Sequence, residues 1–183
     1  MYKKIPLTVR TLCFSAACIA VAVLLSLIPP YRMANGGSVT FGSMFFISLA
    51  GFWYGPYMGI TAGITFGLID FIIKPEFLHP IQVLFDYLLA YGALGLSGFF
   101  RGRRFGMCAG YITGASVRFL LVTLSGCVFW SSYLSYGSTF GLIVASGAYN
   151  ITYILPEMIL TVLVISVPGF RSALAYIERS YIG

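Results

Sequence analysis

The chain has 183 residues, of which 59% are hydrophobic and 9% charged, with a mean hydropathy of +0.93. A water-soluble domain carries about 25% charged and about 45–50% apolar residues, so the composition excludes soluble enzymes, nucleic-acid readers and disordered scaffolds, and makes the bilayer the solvent. The formal charge of +6 then asks which loops hold the cations; it does not point to nucleic acid as a partner.

Lys3, Lys4 and Arg10 precede an apolar run, as they would in a secretory leader. The run from Leu12 to Ile28 exceeds the about 7–15 residues of a leader core, and Pro29-Pro30 follows it in place of a small-residue cleavage site. It is expected to be a first membrane helix that is retained. A span needs about 20 mainly apolar residues. Proline and glycine punctuation then divides the chain into six, at about 8–28, 39–53, 57–73, 80–100, 105–130 and 138–167. The expected class is an all-α integral membrane protein, a single six-helix domain over residues 1–183.

Lys3, Lys4, Arg10, Arg101, Arg103, Arg104, Arg171 and Arg179 fall at the N-terminus, the 4–5 loop and the C-terminus, which six spans place on one side. Arg32 and Lys74 are the cations of the other side, and Arg118 lies within helix 5. Eight against two predicts an N-in/C-in, multi-pass protein of a bacterial-type cell membrane, with both termini cytoplasmic. The outward loop from Pro29 to Ser38 carries Tyr31, Arg32, Asn35 and Gly36-Gly37 and is expected to act as a lid.

Charges inside the hydrocarbon are costly and mark function by default. Asp70 lies one turn from the outer end of helix 3 and reads as interfacial. Asp86 lies about 9 Å into helix 4, with Gln82 one turn before it on the same face and Tyr87 and Tyr91 flanking that face. Helix 6 carries Asn150, Tyr153 and Glu157 at i, i+3 and i+7, one polar stripe. Arg118 sits near mid-membrane in helix 5, with Trp130 at its outer end. Arg118 is open to two readings: a pocket residue, or the partner of Asp86 or Glu157 in an ion pair that holds the bundle together. Trp130 is open to an interfacial-belt reading as well as a ligand platform. One carboxylate, an amide, tyrosines and a tryptophan suit a flat, amine-bearing or cationic heteroaromatic ligand. The carboxylate accepts from an amine, and an aromatic face attracts a ring cation.

Cys13, Cys18, Cys108 and Cys127 lie in apolar segments without a CxxC pair, and His79 is the one histidine, so neither a metal nor a disulfide framework is expected. The chain has no GxxxxGK[ST] loop, HExxH or GxSxG, so no catalysis and no cofactor are expected of it. On helix 1, Ala16 and Ala20 stand at i and i+4, with Cys13 and Val23 extending a smooth surface. Such a face admits a second helix closely, either within the bundle or on a partner membrane protein.

Several of these segments together resemble the substrate-binding S component of an energy-coupling-factor (ECF) vitamin transporter, in its thiamine-specific branch. They are Gly36-Gly37-Ser38-Val39, His79 to Tyr87, Leu96-Ser97-Gly98, Arg118-Phe119 through Ser125-Gly126 to Phe129-Trp130, and Tyr149-Asn150 with Thr152-Tyr153 and Pro156. The resemblance covers essentially the whole chain. It implies a high-affinity six-helix binder of thiamine, or of a close pyrimidine or thiazole relative. Such a binder works with a transmembrane coupling protein and two ATPases that supply the ATP hydrolysis. It further implies that Asp86 binds the aminopyrimidine, that Tyr87 and Asn150 are site residues, that Trp130 lies against the thiazolium, and that Ala16 and Ala20 contact the coupling protein. Gln82, Tyr153, Arg118 and Glu157 complete the expected substrate-binding set. The family's pattern has a histidine where this chain has Val122 and a tyrosine where it has Ala145, which enlarges the pocket on that side. Open alternatives are an S component for another vitamin, and a stand-alone proton-coupled transporter of a small heteroaromatic solute with Asp86, Arg118 and Glu157 as relay.

Overall fold

The computed structural model describes residues 8–33, 37–76, 78–103, 105–129 and 138–182. The chain is mostly helical. Helix α1 (Val9–Leu27) starts at Thr8, whose side chain accepts from the Thr11 backbone N–H, and it ends ahead of Pro29-Pro30. Residues Tyr31–Arg32 (β1) and Ser38–Val39 (β2) pair antiparallel, Tyr31 opposite Val39 and Arg32 opposite Ser38. This short ladder departs from an all-α expectation. It also delays the second helix, because Gly42 then turns the chain through φ 87°, a left-handed conformation that glycine adopts without strain.

Helix α2 (Ser43–Tyr54) is apolar nearly all round, and eleven of its twelve residues are buried, so it is a core helix. At about 1.5 Å per residue it is about 18 Å long, short of the roughly 30 Å hydrocarbon layer. Gly55 and Pro56 separate it from α3 (Pro56–Ile73), where Pro56 takes the first helical position. Helices α4 (Pro80–Phe100), α5 (Gly106–Phe129) and α6 (Thr139–Ser166) follow. With α1 and α3 they make, among the described residues, five helices long and apolar enough to cross a membrane.

Helix α4 changes winding along its length. Pro80–Val83 is α-helical, Leu84–Leu89 widens to a π-helical turn, Ala90–Gly92 returns to α, and Ala93–Phe100 tightens to 3-10 geometry. Wide turns of this kind rotate the side chains that follow and recur at functional sites. Glycines let the neighbouring backbones touch: a Cβ on Gly59 would fall 2.5 Å from Gly51 Cα and 2.7 Å from Gly95 Cα. Only hydrogen fits where α2, α3 and α4 meet, which is how small residues pull helices together in lipid.

Past α6, where the sequence reading ends its helices, Pro168 opens a further helix α7 (Pro168–Ile177). Phe170, Leu174 and Ile177 recur at i, i+4 and i+7 and pack on the core, while Arg171 and Tyr176 stay exposed. The amphipathic spacing lets it lie against the bundle instead of spanning. On α1, Thr11, Ser15, Cys18, Ala22 and Ser26 turn inward. Ala16 and Ala20 are exposed, so their smooth face is not consumed by packing within the chain.

Candidate ligand-binding site

A cavity of about 610 Å³ opens among the C-terminal end of α3, the first turns of α4, the middle of α5, the first half of α6 and the β1–β2 strap. That volume falls in the range of small-molecule sites.

The floor is organised by α4. His79 caps the helix, its ring accepting from the Ile81 backbone N–H at 3.2 Å, and Pro80 fills the first turn. Gln82, one turn in, is buried: its Oε1 accepts from the Leu78 N–H at 2.9 Å and its Nε2 donates to Asp86 Oδ2 at 2.9 Å. One oxygen of Asp86 is thereby oriented. The other, Oδ1, is buried without a hydrogen-bond partner and belongs to a residue lining the cavity. Ser125 Oγ on α5 is buried beside the Asp86 carboxyl, short of hydrogen-bonding geometry with it. A buried acceptor left open costs roughly 1–3 kcal/mol, so Oδ1 is available to a donor on a ligand.

Tyr87 lines the cavity, but its hydroxyl is committed elsewhere. It donates to the Lys74 carbonyl at 2.9 Å and accepts from the Glu76 N–H at 3.1 Å, holding the α3–α4 loop. One turn further on, Tyr91 carries the Arg118 guanidinium over its ring, with Cζ 4.0 Å from the centroid. Arg118 is buried, its Nε has no partner, and it forms no ion pair within 4.0 Å with Asp86 or Glu157. Of the two readings of Arg118, the geometry favours the pocket residue over the bundle-holding pair: the cation rests on an aromatic face and lines the cavity.

Helix α6 contributes Asn150 and Tyr153. Tyr153 donates to Asn150 Oδ1 at 2.6 Å, and Asn150 Nδ2 donates to the Ser146 carbonyl at 2.9 Å. The pair is pre-oriented along the wall. Val122 and Ala145 both line the cavity with short apolar side chains, next to Gly126 and Ser146.

Two carboxylates exchange the places that sequence spacing gave them. Asp70, read as interfacial, is 8% exposed and lines the cavity. It accepts from Lys74 Nζ at 3.1 Å, Tyr91 Oη at 3.0 Å and Ser26 Oγ at 3.5 Å. The i, i+4 spacing of Asp70 and Lys74 was the signal in the sequence. Glu157, expected in the pocket, does not line it. Its oxygens accept from the backbone N–H groups of Thr40 and Met44, both at 3.1 Å, and from Ser43 Oγ at 3.4 Å. It caps the N-terminus of α2 from a neighbouring helix, where the helix dipole favours a negative group.

The described residues of the strap border the cavity. The Gly37 N–H donates to Tyr149 Oη at 3.0 Å, and a Cβ on Gly37 would fall 2.7 Å from Tyr153 Cδ1. Arg32, Met33, Gly37 and Ser38 line the cavity from above. Tyr149, next to Asn150 in the segment that carried the family resemblance, lines the cavity too, and Lys74 joins the site in the structure without having been singled out for binding. Trp130 lies outside the described residues.

The family model of the thiamine transporter protein matches residues 12–175. The thiamine transporter ThiT of Bacillus subtilis (strain 168) is 31% identical over 162 residues, covering 80% of this chain and 83% of that protein. The solved structure of ThiT from Listeria monocytogenes superposes with a TM-score of 0.68 at 24% identity, over 87% of this chain and 96% of that one, a likeness of fold. A match running from α1 into α7, together with a relative above 30% identity, decides the family: the chain belongs to the thiamine transporter protein family.

Proposed function

We propose that this chain is the substrate-capturing S component of an ECF-type importer and that its ligand is thiamine. The observation that carries the reading is the open Asp86 Oδ1, buried in a ligand-sized cavity and steered by Gln82. An exocyclic amine on a protonatable ring supplies the missing donor as a charge-assisted bond. Asn150, Tyr153 and Tyr87 shape the pocket around it, and Arg118 offers donors to acceptor atoms on the ligand. Trp130 is assigned to the thiazolium by family resemblance. Glu157 is assigned to the support of α2 and not to ligand contact.

Six membrane helices with both termini cytoplasmic form the proposed topology, with α2 shielded by its neighbours at less than bilayer length. Arg10, Arg101, Arg103, Arg171 and Arg179 belong to the proposed inner side and Arg32 and Lys74 to the outer, which supports that orientation. The exposed Ala16/Ala20 face supports docking of a transmembrane coupling protein, whose two ATPases do the hydrolysis; no chemistry is assigned to this chain.

Titration of the detergent-solubilised chain with thiamine, followed by tryptophan fluorescence, tests the reading. Trp53 is buried in α2 and does not line the cavity, so it serves as a steady background. Saturable quenching that Asp86→Asn shifts to about 100-fold higher thiamine is the expected result. No response from the wild type overturns thiamine as the ligand.

A further inference from the structure

We infer that Glu157 is a positioning residue for ligand retention: it fastens the stem of the β1–β2 strap to α6 and thereby governs how fast bound ligand escapes. The inference rests on the proposed reading of the cavity as a ligand site.

Glu157 is 2% exposed, on the helix that carries Tyr149, Asn150 and Tyr153. Its donors run from the residue after β2 into the first turn of α2: Thr40 N–H on Oε2, and Met44 N–H with Ser43 Oγ on Oε1. Thr40 follows β2 directly, and its own hydroxyl bonds Ser43 Oγ at 2.6 Å, so the stem is one hydrogen-bonded unit around the carboxylate. Three residues earlier, Gly37 donates to Tyr149 Oη. The strap is thus tied to α6 at two points, Tyr149 and Glu157, eight positions or about 12 Å apart along the helix. Asn150 and Tyr153 lie between those ties, and Gly37 and Ser38 cross over the cavity there.

The bend at Gly42 gives the stem no regular secondary structure between Val39 and Ser43. Its backbone donors at Thr40 and Met44 therefore depend on Glu157. A glutamine keeps the length but turns an amide toward backbone N–H groups, so at least one donor loses its acceptor. The stem then slackens, and Gly37 leaves Tyr149 more often.

Stopped-flow association and release of thiamine by the full chain in detergent test this, alongside hydrogen exchange at residues 37–44 without ligand. In Glu157→Gln, release is expected about tenfold faster, the worth of a hydrogen bond to a charged group. Association is expected to stay within about threefold of wild type, and exchange at Gly37, Ser38 and Val39 to rise. Tyr149→Phe is expected to speed release as well, and the double variant to be slower than the product of the two effects, because both loosen one strap. Full multiplication, or a lowered melting temperature with unchanged release and unchanged exchange, overturns the inference and leaves Glu157 a stabiliser of α2 alone. If Glu157→Gln does not fold, Glu157→Asp retracts the carboxylate by one methylene and is measured in the same way. If the wild type ignores thiamine, the ligand reading has failed, and the ligand-free exchange still decides the role of Glu157.

Discussion

The Arg118 guanidinium rests on the ring of Tyr91, Cζ 4.0 Å from the centroid, and the Tyr91 hydroxyl in turn donates to Asp70 at 3.0 Å. The stack fixes a cation at the cavity wall without using its N–H donors. Arg118→Met is expected to weaken thiamine binding by about 1.5–3 kcal/mol, the worth of a hydrogen bond to a charged group. Arg118→Lys should recover only part of the loss, because a flexible ammonium lacks the planar fork that stacks on Tyr91. Equilibrium titration of both variants checks this; a full recovery by lysine removes the stack from the account.

Asp86 and Asp70 line the same cavity but differ in what they still need. Asp70 already has Ser26, Lys74 and Tyr91, whereas Asp86 Oδ1 has no partner. Asp86→Asn is therefore expected to cost about 100-fold in thiamine affinity with little change in melting temperature. Asp70→Asn is expected to do the reverse, because it leaves the Lys74 cation without its carboxylate, with only the Ser26 carbonyl as acceptor, and weakens the α1–α3 contact at Ser26. Affinity and thermal melting measured side by side distinguish them; equal affinity losses would remove the reason for centring the site on α4.

Val122 and Ala145 leave one wall of the cavity apolar and recessed. Val122→His and Ala145→Tyr, which install the polar groups that the family's pattern carries, are each expected to tighten thiamine binding by about 0.5–1.5 kcal/mol. Weaker binding from both, with a gain for a bulkier thiamine analogue in the wild type, would mean that the recess is there to hold extra ligand volume.

Ala16 and Ala20 point away from the bundle. Ala16→Trp and Ala20→Trp are accordingly expected to leave thiamine titrations unchanged while abolishing co-purification with the proposed coupling protein and its ATPases. Loss of ligand binding in these variants would instead place the face inside the folded unit.

Much of the architecture is local physics and was legible from the residues in order. A bilayer demands about 20 apolar residues per helix, and Pro29-Pro30, Gly55-Pro56 and Pro168-Gly169 punctuate the runs, so five long helices and a short one emerge close to their expected bounds. Intramembrane polar residues are few, which made Asp86, Gln82, Arg118, Asn150 and Tyr153 stand out, and all five line the cavity. What remained hidden was rotational phase. Gly63 and Gly67 bring α3 onto the carbonyls of Tyr91 and Tyr87, and the wide turn at Leu84–Leu89 shifts where later side chains of α4 point. Neither is set by the spacing of polar residues within one helix. Asp70 consequently faced inward and Glu157 turned from the cavity to the start of α2, against the expectation for each. Sequence by itself determined the solvent, the spans and the short list of chemically useful side chains, because these follow from composition and length. Only the tertiary structure decided which of them share a cavity, because that depends on how closely packed helices are turned about their axes.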